Sequence, residues 1–263
     1  MIFVIGGNGF VGSAFGRVCE AAGREYAVIT RQNYDEYRGR SCSVLVNANG
    51  NSKKFLSNDQ PLTDFDLSVR SVRASLIDFP FDTYVMLSSC DVYPDCSTPQ
   101  TTREDDPIDV ARQSRYGFHK YLAEQCVRHA AKRHLVFRMG GFVGPGLRKN
   151  AIYDILTGGP LWLDPTSELQ FLPTDELARV VLRMVDDGAT NDTFNICGRG
   201  TVRLAEVVRM AGREVPVKPG APTVRYEIGL DKVSRHVTLP DTGASVAAFV
   251  CDWQRAHAAA PAA

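Results

Sequence analysis

The sequence has no excess charge of either sign: Lys+Arg and Asp+Glu number 30 each in 263 residues. Surfaces that neutralise many phosphates carry a basic surplus, so nucleic acid is not expected among the partners. Long apolar runs are also missing, and no stretch approaches the ~18 uninterrupted apolar residues of a membrane span. Met1-Ile2-Phe3-Val4-Ile5 runs directly into glycines without the charged flank of a secretion signal. The seven cysteines are scattered singly, with no CxxC pair and an odd total, which argues against a disulfide framework. None of the five histidines stands at ligand spacing beside a cysteine pair, so no zinc site is expected. These absences predict a soluble, cytoplasmic, metal-free protein.

What is present is an alternation of short apolar runs with helical stretches. Ile2–Ile5, Tyr26–Thr30, Ser43–Val46, Tyr84–Ser88 and Leu135–Arg138 read as strands, with helices from about Phe10 to Val18 and Ser114 to Lys132. That order predicts an α/β fold, a doubly wound parallel sheet (Rossmann) with helices on both faces. Past Gly140 the pattern loosens into glycine- and proline-punctuated segments. The expected division is a dinucleotide-binding domain over 1–145 and a small C-terminal substrate-binding cap over most of 146–255. The chain is expected to return to the sheet near 194–196. The alanine-rich tail, Ala258–Ala263, reads as frayed.

Gly6-Gly7-Asn8-Gly9-Phe10-Val11-Gly12 follows the first strand and opens the first helix. The GxxGxxG series lets the turn tighten, the backbone approach a pyrophosphate and the helix pack closely on the strand. Its N-terminal N–H groups would face the anion. In that setting Gly6, Asn8, Gly9, Phe10, Val11 and Gly12 are candidate cofactor-binding residues. The second strand ends at Thr30-Arg31, and the first carboxylate, Asp35, comes later. Arg31 is either a solvated surface residue or the partner of a ribose 2′-phosphate. The second reading favours NADP, with NAD as the alternative.

Tyr116 and Lys120 form a YxxxK pair inside a helical stretch, four residues apart and so on one face. A cation beside a phenol is expected to lower its pKa, letting it exchange a proton with an alcohol or carbonyl oxygen. Ser89, at the carboxyl end of the fourth strand, can donate to the same oxygen; Ser88 reads as structural. His119 reads as a packing or surface residue. Trp162 and Trp253 read as core or cap residues, and 31–40 as a solvated loop. Cys90 stands at the mouth of the sheet.

Glycine loop, strand-end serine and YxxxK in this order resemble the extended short-chain dehydrogenase/reductases, specifically the NAD-dependent epimerase/dehydratase family. Val46-Asn47-Ala48-Asn49-Gly50 is similar to the family motif that lines the cofactor. Arg138 to Gly146, Thr174-Asp175-Glu176-Leu177-Ala178 and Phe194-Asn195-Ile196 are similar to later family segments. The resemblance implies Ser89, Tyr116 and Lys120 as a catalytic trio, and Asn47, Ala48, Asn49, Tyr116 and Lys120 as cofactor-binding residues. It also implies a sugar or sugar-nucleotide substrate under the cap, met by Ser89, Asp91, Arg148 and Asn150. A homodimer formed through the YxxxK helix and its predecessor is implied as well. Two positions depart from the family pattern, Ser68 for an Asn and Leu169-Gln170-Phe171 for an Arg-containing run.

The trio serves reduction, epimerisation and 4,6-dehydration alike. Cys90 stands where dehydratases place one of two carboxylates, and Asp91 reads more as a turn cap than as a base. Reduction needs only the trio and exchangeable NADPH, so the expected order is reductase, epimerase, dehydratase. A non-catalytic NADP-binding sensor is the alternative from a different class.

Overall fold

The computed structural model describes residues 1–258, so the tail beyond Ala258 lies outside the described residues. The strands are β1 (Ile2–Ile5), β2 (Tyr26–Ile29), β3 (Cys42–Asn47), β4 (Phe81–Ser89), β5 (His134–Met139) and β6 (Gly141–Val143). After them come β7 (Glu168–Leu169), β8 (Phe171–Pro173), β9 (Asp192–Ile196), β10 (Val202–Arg203) and β11 (Arg225–Tyr226). The helices are α1 (Gly12–Ala21), α2 (Tyr34–Tyr37), α3 (Leu56–Asp59), α4 (Pro61–Phe65) and α5 (Ser71–Asp78). The later ones are α6 (Arg115–Ala130), α7 (Ala151–Thr157), α8 (Thr174–Asp186), α9 (Leu204–Ala211) and α10 (Thr242–Ala258).

Six strands form one parallel sheet in the order β2-β1-β3-β4-β5-β9. Side chains alternate along each strand, so the sheet has two buried faces. Val4, Val46, Val85, Leu87 and Phe137 pack beneath α1 and α8, through Phe15, Leu177 and Val181 among others. Phe3, Leu45, Tyr84, Met86 and Val136 point the other way, against Val72 of α5 and Ala123 and Val127 of α6. Burial on both faces explains why these strands read as near-continuous apolar runs.

The chain leaves β1 toward β2 on one side and returns to β3 on the other. The strand order therefore reverses between β1 and β3, where such sheets hold their ligands beyond the carboxyl ends. A second cluster of apolar side chains lies in the C-terminal portion, among α7, α9 and α10 and the strand pair β6–β8. β9 and α8 belong to the main sheet and its covering layer.

Several local expectations change. The first helix begins at Gly12, because the residues before it form the glycine turn. The 31–40 segment is not wholly solvated: Tyr34 and Tyr37 pack edge-on against Phe79 and Phe3. Trp162 is 64% exposed, its ring under the Lys218 ammonium 4.8 Å away, and so belongs to no core. Trp253 does pack, against Tyr153 and Phe249.

Candidate active site

The glycine loop is built for a backbone that must pass very close to its neighbours. Gly6 has φ +76°, a left-handed conformation open to glycine, and a Cβ there would stand 3.0 Å from the Ala48 carbonyl. A Cβ on Gly12 would stand 2.3 Å from the Gly6 carbonyl oxygen. The start of α1 has no side-chain cap and no carboxylate in its first turn. N–H groups unclaimed by helix or side chain attract an anion, so the loop fits a dinucleotide pyrophosphate. Asn8 and Gly9 are exposed at the turn, and Phe10 and Val11 are half-buried beside it.

At the end of β2 the Asn33 carboxamide ties the turn, accepting from the Thr30 N–H at 2.7 Å and donating to the Val28 carbonyl at 3.0 Å. Arg31 projects from that turn, exposed, with no hydrogen bond or ion pair to any described residue. Across the strand-order reversal, Asn47 turns its side chain inward, donating to Tyr84 Oη at 2.6 Å and Ser75 Oγ at 3.2 Å. Its Oδ1 accepts from the Asn49 N–H at 2.9 Å. Asn47 therefore shapes the turn holding Ala48 and Asn49, whose backbone meets Gly6; its own side chain does not face the crevice.

Ser89 ends β4 and caps the short turn Cys90–Val92, accepting from the Asp91 N–H at 3.2 Å. Its hydroxyl donates to the Asp91 carboxylate at 2.9 Å. The expected roles are thus exchanged: the serine caps the turn. Asp91 instead accepts from Ser89 and, at 2.7 Å, from the Lys54 ammonium. Helix α6 is brought against this turn by Gly117, where a Cβ would stand 1.9 Å from the Asp91 carbonyl oxygen. That approach sets Tyr116, one residue before, near Ser89.

Tyr116 is 8% exposed and donates to the Asn51 main-chain carbonyl at 3.2 Å. Lys120 is also buried, its Nζ 5.7 Å from the centre of the Tyr116 ring. Gly50 makes room for it, since a Cβ there would stand 2.8 Å from that Nζ. The expected acidified phenol is not what this arrangement produces. Burial pushes the Tyr116 hydroxyl well above its ordinary value, and the Asp91 and Asp64 carboxylates push it further. The lysine stands over the ring face. Burial lowers the Lys120 amine, opposed by Asp64, Asp91 and Glu124.

Behind the site, Ser88 donates to Glu124 Oε1 at 2.6 Å, and Arg138 pairs with both Glu124 oxygens at 3.1 and 2.9 Å. This buried ion pair ties α6 to β4 and β5, and Ser88 is structural as expected. Cys90 is fully buried, its thiol donating to the Arg138 carbonyl at 3.1 Å and pushed up by burial, so it is no nucleophile. Asn150 spends its side chain on the start of α7, accepting from the Tyr153 N–H at 3.0 Å and donating to the Phe142 carbonyl at 2.9 Å. It is a helix cap, not an open substrate contact. Arg148 is exposed, and its neighbour Lys149 donates to Ser52 Oγ at 2.8 Å.

Asp64 and Asn51 stand outside the candidates that the sequence offers. Asp64 is fully buried and lies 2.6 Å from His119 Nδ1, and Asn51 donates to it at 2.7 Å. No spacing signal joins residues 64 and 119; only an unexplained histidine next to Lys120 hinted at a partner.

A glycine turn at the strand-order reversal, with serine, tyrosine and lysine gathered at the carboxyl end of β4, defines a dinucleotide-dependent enzyme of the short-chain dehydrogenase/reductase type. The model of the NAD dependent epimerase/dehydratase family matches residues 41–197, well over half the chain, and the protein belongs to that family. The cofactor class is therefore NAD(P). The matched segment contains Ser89, Tyr116 and Lys120 and excludes the glycine loop, which rests on its geometry.

Among solved structures, MoeE5 in complex with UDP-glucose and NAD is similar at 18% identity and TM-score 0.81, covering 98% of this chain and 99% of its own. A dTDP-4-dehydrorhamnose reductase from Clostridium acetobutylicum is similar at 18% identity and TM-score 0.78, covering 96% and 99%. RMD from Pseudomonas aeruginosa complexed with NADPH gives 17% identity and TM-score 0.77, covering 97% and 99%. At such identities the likeness is one of fold. No curated protein matches the chain.

Proposed function

We propose that this protein is an NADPH-dependent reductase acting on a carbonyl of a sugar or sugar nucleotide. Ser89, Tyr116 and Lys120 are its catalytic residues. The observation that carries the reading is the state of the phenol. Tyr116 is buried, its hydroxyl donates to the Asn51 carbonyl at 3.2 Å and so carries its proton, and it lies near Ser89 at the carboxyl end of β4. A proton-bearing phenol suits the donor role that reduction requires.

The Ser89 hydroxyl, turned from Asp91, donates to the reacting oxygen as negative charge develops there. Tyr116, released from the Asn51 carbonyl, donates the proton that completes the alcohol. Lys120 keeps a positive charge beside the phenolate that results. Bound NADPH supplies the hydride. Gly6, Asn8, Gly9, Phe10, Val11 and Gly12 would hold its pyrophosphate, Ala48 and Asn49 would flank it, and exposed Arg31 would meet the 2′-phosphate.

Residues 1–145 serve as the dinucleotide-binding domain, and most of 146–255 as the substrate cap. Asp91, paired with Lys54, and exposed Arg148 would meet the substrate, and the protein would act in the cytoplasm. No described helix is long and apolar enough to cross a membrane. The homodimer would form on the α4–α6 side, where Leu62 is 81% and Ile77 67% exposed, with Phe65 and Phe118 also partly open.

Nucleotide-linked 4-keto sugars mixed with NADPH should deplete absorbance at 340 nm, and NADH should do so more slowly. Interconversion of UDP-hexoses without net NADPH consumption would make the protein an epimerase. Tight NADPH binding without turnover of any carbonyl would make it a sensor.

A further inference from the structure

Lys120 is a buried ammonium with no carboxylate within ion-pair distance among the described residues, although a buried charge needs compensation. Three carboxylates bear on it at longer range: Asp91 beyond β4, Glu124 on its own helix and Asp64 on α4. The loop brings Asp64 near, since the Lys120 Nζ lies against Gly50 and the next residue, Asn51, donates to Asp64 at 2.7 Å. Two of the three carboxylates already have lysine or arginine partners. Asp91 pairs with Lys54 at 2.7 Å, and Glu124 with Arg138 at 2.9 Å and Arg128 at 3.5 Å. Asp64 has neither an arginine nor a lysine. Its one ion-pair partner among the described residues is His119 Nδ1, at 2.6 Å.

We propose that Asp64 is the buried counter-charge of Lys120, oriented by His119, and thereby a positioning residue for the Tyr116–Lys120 couple. Where Asp64 accepts, the hydrogen of the 2.6 Å contact lies on His119 Nδ1, and the ring orients the carboxylate. The fully buried carboxylate keeps its remaining valences filled. Oδ1 accepts from Asn51 Nδ2 at 2.7 Å and from Ser68 Oγ at 3.3 Å. Ser68 lies in the π-helical turn Asp66–Arg70 that separates α4 from α5. Such a turn sacrifices regular hydrogen bonding and often accompanies a functional site. The Asn51 contact links the pair to chemistry from a second direction, because the main-chain carbonyl of Asn51 receives the Tyr116 hydroxyl. One carboxylate thus fixes the loop that parks the phenol and balances the lysine beside it. The Phe65 ring stands edge-on to His119 at 5.6 Å and closes that side of the pair.

The inference rests on Tyr116 and Lys120 being the acid–base couple, but its test requires no turnover and so fails separately from that reading. The probe is the pH titration of Lys120 by 13Cε-lysine NMR on the whole cofactor-free chain, with the resonance assigned by its loss in Lys120→Met. Asp64→Asn keeps the shape and removes the charge, and should lower the Lys120 midpoint by about one pH unit. Should that variant not fold, His119→Arg sets a permanent cation against Asp64 and should lower the midpoint by a similar amount. His119→Asn keeps an N–H donor and should leave it within about 0.3 unit. A midpoint unmoved by Asp64→Asn or by His119→Arg, in protein with an intact thermal transition, would overturn the proposal and leave the pair a packing feature.

Discussion

Replacing Gly117 with alanine tests the geometry on which the site depends. The added Cβ would stand 1.9 Å from the Asp91 carbonyl oxygen and 2.9 Å from its carbon, against an ordinary contact of 3.4 Å or more. Backbone lies on both sides of the clash, so no side chain can swing away. Helix α6 and the Cys90–Val92 turn must separate by about 1.5 Å, the difference between contact and clash. Helix propensity alone favours alanine by about 1 kcal/mol. Overpacking costs about 1–3 kcal/mol and more where backbone must move, so the variant should be less stable. Tyr116 travels with the helix while Ser89 stays on β4, and a misplacement of about 1 Å commonly costs 100-fold in rate. Thermal melting and NADPH oxidation would therefore both fall, turnover by about 100-fold or more, while dinucleotide affinity changes little because α1 is untouched. A variant with full turnover and an unchanged or higher melting temperature would show that the Gly117 contact does not hold the helix and the turn in place.

Tyr116→Phe keeps the buried ring and removes the proton, so turnover should drop by about 1,000-fold with NADPH affinity within about twofold. Retained activity, measured as NADPH oxidation, would remove Tyr116 from the acid role. Arg31→Ala should weaken NADPH by about 10–100-fold in fluorescence titrations and leave NADH nearly unchanged, the loss expected for a charge-assisted bond. Equal losses would reject the 2′-phosphate contact. Stability should decline above pH 9. Burial pushes the Cys42 thiol up to about 11 and the Cys197 thiol up to about 12 in the folded chain. Their contribution is fully present below the unfolded thiol value and is lost as pH rises through the folded ones. A melting temperature flat between pH 8.5 and 10.5 would contradict it.

Five strands of the sheet were legible in the sequence because each centres on an apolar run bounded by glycine or helix signals, whereas β9, Asp192–Ile196, mixes polar and apolar residues and showed only as a return near 194–196. The glycine turn and the YxxxK pair were legible because their spacing is local: one turn, and one helix face. What escaped notice is long-range. Asp64 meets His119 across 55 positions, and Asn51 meets Tyr116 across 65. Neither pairing leaves a periodic trace. The exchanged roles of Ser89 and Asp91 escaped for a different reason, since either residue type can cap a turn and only the placement of Lys54 decides which oxygen is claimed. Asn150 shows the converse hazard. A motif position carries a residue type, but φ +132° and two main-chain hydrogen bonds commit its side chain to helix α7.

The near-absence of space at Gly117 welds the serine-bearing strand end to the tyrosine-bearing helix, leaving the hydroxyl pair little freedom to adapt to the molecule it serves. Changes of diet during evolution, or at the bench, would then fall to the later half of the chain. Its loops could be exchanged between relatives while the proton-handling machinery is inherited unchanged.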